Sequence, residues 1–176
     1  MRVPRTAVVS LLTIASVLLL GVSPASAERQ TFRDRANDAQ RGVDIRTVHV
    51  SNAGRILVRT KFDYLGRRGS TGLAIYFDTN RRNAGPEYLA AGGLFEGSDS
   101  ILGRIAGWND QFADWSSGCR YDLRIHYGRG GTATIDLARG CLRRPGEIRA
   151  TAKSNGPGRN DWAPRRRTFY PAVDHG

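Results

Sequence analysis

The sequence predicts an all-β protein, a single antiparallel β-sandwich of jelly-roll-like type with about eight or nine strands behind a cleaved export signal. Three observations predict it. Beyond residue 27, apolar and polar residues alternate in runs of roughly five to nine, the two-residue period of strands with one buried face. Clusters of Gly, Asn, Asp and Pro separate these runs at intervals of roughly ten residues. No later segment sustains a helical apolar period, so any helices are expected to be short.

The first element is for export. Arg2 and Arg5 precede a mostly apolar stretch, 7–22, and Ala25-Ser26-Ala27 has the small-x-small pattern that a signal peptidase reads. Ser10, Thr13, Ser16 and Gly21 interrupt the stretch, which is short for a membrane span. Residues 1–27 are therefore expected to be removed, leaving 28–176 as one secreted, extracellular domain with no membrane span. Its last part, 155–176, reads as a polar basic segment.

The strands follow in order. Residues 44–51 set Val48 and Val50 on one side, and Asn52-Ala53-Gly54 turns the chain into 55–65. There Ile56, Val58, Thr60 and Phe62 share a face opposite Arg59, Lys61 and Asp63. Past the loop Gly66-Arg67-Arg68-Gly69, Leu73, Ile75 and Phe77 alternate up to a strand end at Asp78-Thr79-Asn80. Residues 88–94 and 101–105 are weaker strands interrupted by glycine, and Ile148, Ala150 and Ala152 supply a late one.

One hairpin can be set in register by arithmetic. If paired residue numbers sum to 260, Cys119 faces Cys141, Leu123 faces Leu137, Ile125 faces Ile135 and Arg124 faces Asp136, around a turn at Arg129-Gly130-Gly131. These are the only cysteines, and in an exported chain they are expected to form a structural disulfide. Neither a redox pair nor a zinc cluster fits two cysteines so spaced.

Composition narrows the function classes. Of 176 residues, 27 are Lys or Arg and 16 Asp or Glu, a formal charge of +11 that falls to about +9 without Arg2 and Arg5. Only Lys61 and Lys153 are lysines, a skew that a GC-rich genome explains as well as a phosphate-binding surface does. Arg67-Arg68, Arg81-Arg82, Arg143-Arg144 and Arg165-Arg166-Arg167 fall in expected loops, where they could meet polyanions or simply be solvated. Phe169 and Tyr170, after the triple arginine, suit stacking on single-stranded nucleic acid, but an exported chain argues against that partner.

Two further constellations could carry binding. Asp34, Asp38 and Asp44 cluster near the first strand, Asp78 and Asn80 end a later one, and Asp161 precedes Trp162. Such oxygens could hold a structural calcium, or could cap turns, the commoner role. Trp108 and Trp115 flank a segment including Asn109-Asp110 that lacks a strand pattern, and Trp162 lies in the late polar segment. Tryptophans amid Asn and Asp can stack on sugar rings, or anchor loops to the core.

Catalysis has little support. Glu87 and Glu96 are two loop carboxylates, while His49, His126 and His175 pair with no evident nucleophile. No G-x-S-x-G, H-E-x-x-H or phosphate-binding glycine loop occurs.

The stretch from Asp34 through Asn37-Asp38 to Val43-Asp44-Ile45 resembles the N-terminal signature of β-sandwich modules of the DOMON and carbohydrate-binding module family nine type. Asp78-Thr79-Asn80, after Leu73-Ala74-Ile75-Tyr76-Phe77, resembles their central strand ending in Asp-Thr-Asp. With Gly85-Pro86-Glu87, Cys141-Leu142 and Asp161-Trp162-Ala163-Pro164, the chain is similar to uncharacterised secreted actinobacterial proteins of this fold. The resemblance implies a sandwich that carries calcium and binds sugars or, in DOMON domains, haem. Asn37 stands where glycine is usual, and Asn80 where a third carboxylate is usual. The only methionine is Met1, so Met/His haem ligation is not available.

The expectation is a monomeric, non-catalytic binding module for carbohydrate or a cell-envelope polymer. Its candidate residues are Trp108, Asn109, Asp110, Trp115 and Trp162, with Asp34, Asp38, Asp44, Asp78 and Asn80 for calcium. Two alternatives stay open: an electrostatic polyanion binder acting through loop arginines, and a secreted protease inhibitor presenting loop 81–85.

Overall fold

A computed structural model describes residues 28–109, 111–115, 118–158 and 160–176; the expected signal segment, 1–27, lies outside them. The first eight strands are β1 (Arg29–Arg33), β2 (Ile45–Asn52), β3 (Arg55–Phe62), β4 (Tyr64–Leu65), β5 (Gly72–Asp78), β6 (Tyr88–Gly93), β7 (Ser100–Ile105) and β8 (Phe112–Trp115). Then come β9 (Tyr121–His126), β10 (Gly128–Arg129), β11 (Thr132–Ala138), a 3-10 turn (Arg139–Leu142), β12 (Glu147–Asn155), β13 (Asp161–Ala163) and β14 (Val173–Asp174).

All strand pairs are antiparallel. One sheet has the order β1-β2-β3-β11-β9; the other runs β13-β12-β5-β6-β7-β8, with β14 also paired to β12. A short ribbon, β10-β4, lies outside both. The chain thus crosses from the five-stranded to the seven-stranded sheet, returns for β9 and β11, and crosses again, which is an all-β sandwich.

The alternation explains the core. On β3, Ile56, Val58, Thr60 and Phe62 are fully buried while Arg55, Arg59 and Lys61 are exposed. Leu73, Ile75 and Phe77 of β5 and Ile148, Ala150 and Ala152 of β12 complete the same cluster from the opposite sheet. Burying one large aliphatic or aromatic side chain here contributes roughly 1.5–3 kcal/mol relative to leaving it exposed.

More strands form than the sequence predicts. β1 reads Arg-Gln-Thr-Phe-Arg, an edge strand with one apolar residue, and β4, β10 and β14 have two residues each. Elements so short or polar carry no periodic signal. The polar tail is built into the fold as well: β13 and β14 both pair with β12, and Tyr170 and Val173 are buried.

Cys119 and Cys141 are disulfide-bonded, with Cα atoms 5.5 Å apart. The hairpin register is nevertheless two residues away from the expected one. Ile135 pairs with Leu123, Ala133 with Ile125 and Thr134 with Arg124, so paired numbers sum to 258. The turn is longer than three residues because Gly128 and Arg129 leave the hairpin to pair with Leu65 and Tyr64. At the other end the 3-10 turn shortens the chain's path and still brings Cys141 to Cys119.

Candidate functional site

The outer face of the seven-stranded sheet is partly apolar. Tyr76, Leu89 and Ile105 are buried there in a second cluster, with Trp108, Phe112, Trp162 and Phe169 half-buried around them. Trp162 stacks on Tyr76 at 5.5 Å between ring centroids and Trp108 on Phe169 at 4.7 Å. Trp108 and Trp162 meet edge-on at 6.3 Å. Gly85, at φ +101°, lets Trp108 in: a Cβ there would lie 3.1 Å from Trp108 Cδ1. Two cations cover these rings, Lys153 at 5.2 Å over Trp162 and Arg149 at 4.9 Å over Phe169.

Beside this patch runs an open groove of about 690 Å³. Its floor includes Gly72, Ala74, Ala91 and Gly93, small residues that leave the sheet backbone accessible. Phe112 closes one side, lying so near Gly103 that a Cβ there would come within 2.5 Å of its ring. Asp99, Asn155, Asn160 and Lys153 bring polar atoms to the rim. Lys153 lines the groove and also covers Trp162, so groove and aromatic patch are continuous.

One residue past Asn160, an acidic cluster begins. Asp34, Asp38 and Asp161 each place a carboxylate oxygen within 4.8 Å of the others. Asp161 starts β13 and is buried; its two oxygens accept the Ile45 and Trp162 amides, each at 2.7 Å. Asp34, just past β1, is half-buried, and its Oδ2 is buried with no hydrogen-bond partner. Burial, then the charge of Asp161, pushes the Asp34 carboxyl up to about 7. Burial also raises Asp161, with Asp38 and Asp44 adding to it and the two amide bonds opposing. Tyr170 is 5% exposed, and its hydroxyl has no hydrogen-bond partner. Burial raises its pKa, and so do the charges of Asp34 and Asp161.

The five-stranded sheet has a different outer face. Arg29 and Arg33 of β1, Arg55, Arg59 and Lys61 of β3 and Arg124 of β9 are all exposed on it. The ladders align four of them in two rows across the sheet: Thr31, His49, Arg59, Thr134 and Arg124 in one, and Arg33, Thr47, Lys61, Thr132 and His126 in the next. Asp136 neutralises part of this field, accepting Arg55 at 2.5 Å and Arg124 at 2.9 Å. Among the described residues Arg33, Arg59 and Lys61 have no carboxylate in ion-pair range. Burial, then Arg59 and Arg29, lowers the His49 pKa, and its Nδ1 bonds Thr31 Oγ1 at 2.8 Å.

The expected site residues are thereby sorted. Trp108 and Trp162 come together, with Asn109 exposed beside Trp108. Asp110 lies outside the described residues; Trp115 pairs through its backbone with Gly103, and its side chain lies outside what is described. Asp34 and Asp38 converge with Asp161, whereas Asp44 is engaged by the Asn37 amide at 3.1 Å and Arg46 at 2.8 Å. Asp78 and Asn80 do not join them: Asp78 binds the Arg149 guanidinium and the Asn80 amide, and Asn80 accepts the Arg82 amide. Asn37 takes φ +63°, a left-handed conformation that Asn tolerates better than most residues.

Other residues are tied locally. Glu87 accepts the Thr79 amide and Asn83, Glu96 pairs with Arg67, and Arg81 of loop 81–85 pairs with Glu147 at 2.6 Å. Phe169 and Tyr170 are packed on Trp108 and Phe32, so neither presents a free ring face for a base to stack on. The sequence reading missed that Tyr170 is buried with an unpartnered hydroxyl; Phe-Tyr after three arginines carries no sign of which ring turns inward.

Fold and sites together define an antiparallel β-sandwich with a groove on one outer face, a basic field on the other and three converging carboxylates at one end. Neither a protein-family model nor a curated protein matches the chain.

Proposed function

We propose that the chain is a secreted, monomeric, non-catalytic module that holds a segment of carbohydrate or cell-envelope polymer in the groove of the seven-stranded sheet. The observation that carries this reading is the continuity of groove and aromatic patch through Lys153. A sugar chain needs an extended, open cleft, apolar surface for its C–H bonds and polar atoms for its hydroxyls. The Gly and Ala floor supplies the cleft, Phe112 and the Trp162 patch the apolar surface, and Asp99, Asn155 and Asn160 the polar atoms.

The test is retention of the purified protein on insoluble cell-wall and plant polysaccharides in low and high salt. Retention that survives high salt and drops roughly fivefold in Trp162→Ala is expected, since the variant removes apolar surface beside the groove worth on the order of 1 kcal/mol. No retention on any of these polymers overturns the reading.

A second reading has its own observation. The six cations on the five-stranded sheet suit a linear polyanion, and such binding would disappear in high salt. The cations of this reading sit on strands, not only in the loops where the sequence places most paired arginines.

A further inference from the structure

We infer that the outer face of the five-stranded sheet holds a linear glycan bearing sulfate or phosphate monoesters, laid along the ladder of β2 and β3 with one ester in each of two basic hollows. The inference rests on the polyanion reading of that face and gives it a direction, two subsites and a ligand class.

Both hollows follow the β2–β3 ladder. The first, about 420 Å³, contains the paired residues Ser51 and Leu57 and ends at the turn Ala53-Gly54. Arg29, Arg55 and Arg59 line it, with Asp136 as its one carboxylate. The second, about 270 Å³, contains the paired residues Thr47 and Lys61 and is closed by Arg129 and Gly130. Arg46, Lys61 and Arg129 line it, with Asp63 as its one carboxylate. With His49 neutral, three cations against one carboxylate leave each hollow a local charge of 3 − 1 = +2.

Nearby carboxylates do not use up these cations. Asp136 accepts Arg55 at 2.5 Å and Arg124 at 2.9 Å, Glu28 holds Arg29 at 3.2 Å, and Asp44 holds Arg46 at 2.8 Å. Asp63 pairs at 3.9 Å with Arg41, which lines neither hollow. Arg59 in the first hollow, and Lys61 and Arg129 in the second, have no carboxylate in ion-pair range among the described residues. Arg59 is held by its Nε, which donates to Thr134 Oγ1 at 3.3 Å, so the two terminal nitrogens are left for a ligand. His49 also lines the first hollow; its Nδ1 bonds Thr31 Oγ1 at 2.8 Å, which fixes the ring and leaves Nε2.

Two features select the ligand. Cations reach each hollow from several strands: β1 and β3 supply the first, and β2, β3 and β10 the second. A sulfate or phosphate monoester turns three outer oxygens to its surroundings and meets donors on several sides, whereas a planar carboxylate has only two oxygens to offer. The hollows are also in line. Leu57 of the first and Lys61 of the second are four residues apart on β3, about 13 Å of strand, and Arg59 stands between them on the same side. A free ion fills one hollow; a chain with esters about that far apart fills both.

The experiment measures affinity at low salt for a sulfated and a phosphorylated oligosaccharide, each long enough to carry two esters about 13 Å apart, with inorganic sulfate and phosphate as single-ion references. The oligosaccharide is expected to bind about a hundredfold or more tightly than its free ion, because the second contact is made within one ligand. Arg59→Gln and Lys61→Gln, one in each hollow and both at exposed positions, are each expected to lower affinity roughly five- to tenfold and to reduce the salt slope by about one. Arg33→Gln is the control: it is exposed in the same row as Lys61 but lines neither hollow, and it is expected to cost under about twofold. Either oligosaccharide binding in this pattern supports the inference and shows which ester the hollows take. Equal losses in the three variants would overturn it while leaving a diffuse polyanion-binding face, and so would an oligosaccharide affinity no better than that of the free ion. No binding of any of the four probes at low salt removes the polyanion reading as well.

Discussion

Asp78 shows how one residue's role depends on a distant partner. Its side chain is 1% exposed at the end of β5, and the Arg149 guanidinium covers it from directly across the ladder while lying 4.9 Å over Phe169. The sequence makes Asp78-Thr79-Asn80 look like a set of oxygen donors for a cation, because nothing in it shows that Arg149 will stand opposite. Arg149→Met strands a carboxylate in the sheet and is expected to cost about 3 kcal/mol, measured by urea unfolding. Asp78→Asn should cost less, since the guanidinium, 29% exposed, can turn to water. Equal losses would mean that the lost interaction between the two side chains, and not a stranded buried carboxylate, sets the cost. Asp161 is the opposite case: its place beside Trp162 is plain in the sequence, but its convergence with Asp34 and Asp38 needs β13 to lie against the start of β2, a contact 116 residues apart in the chain.

At the scale of elements, alternation determines which face a strand buries but says little about its partner. The hairpin of β9 and β11 makes this plain. A two-residue slip leaves every side chain on its expected face, so Leu123, Ile125, Ile135 and Leu137 still point inward although each has a different opposite number. Arg124 still bonds Asp136, now diagonally, at 2.9 Å. What the residues alone do not reveal is the competition for the turn, where Gly128 and Arg129 are drawn off to β4. The disulfide was legible because it needs only two cysteines and an oxidising compartment. It closes a sequence separation of 22, which corresponds to roughly 3 kcal/mol in the chain-entropy model. The double variant Cys119→Ser/Cys141→Ser is therefore expected to lose about that much by denaturant unfolding, with the denaturant slope rising as the unfolded chain expands. A loss well under 1 kcal/mol would mean that the hairpin's own contacts already hold the two ends together.

For the whole molecule, net charge is readable from composition, but its division between two faces is not. The excess of arginine gave no reason to expect that one sheet would carry exposed cations in register while the other carried a groove of small residues. That division arises because β1, β3 and β9 each place basic residues at their outward positions, whereas β5 and β6 place Gly and Ala there. Two packed sheets lie about 10 Å apart with the core between them, so substitutions on one outer face should leave the other undisturbed. Arg59→Glu/Lys61→Glu tests this, since neither side chain is ion-paired among the described residues and reversing both changes the local charge by four. Binding to a sulfated polysaccharide is expected to weaken sharply, and the slope of log affinity against log salt to fall by about two for the two lost contacts. Retention on neutral polysaccharide should stay as in the parent protein, while Trp162→Ala should do the reverse. If the charge reversal instead removes both activities, one continuous surface serves both, and the ligand is an acidic polymer that spans the sandwich edge between the groove and the basic rows.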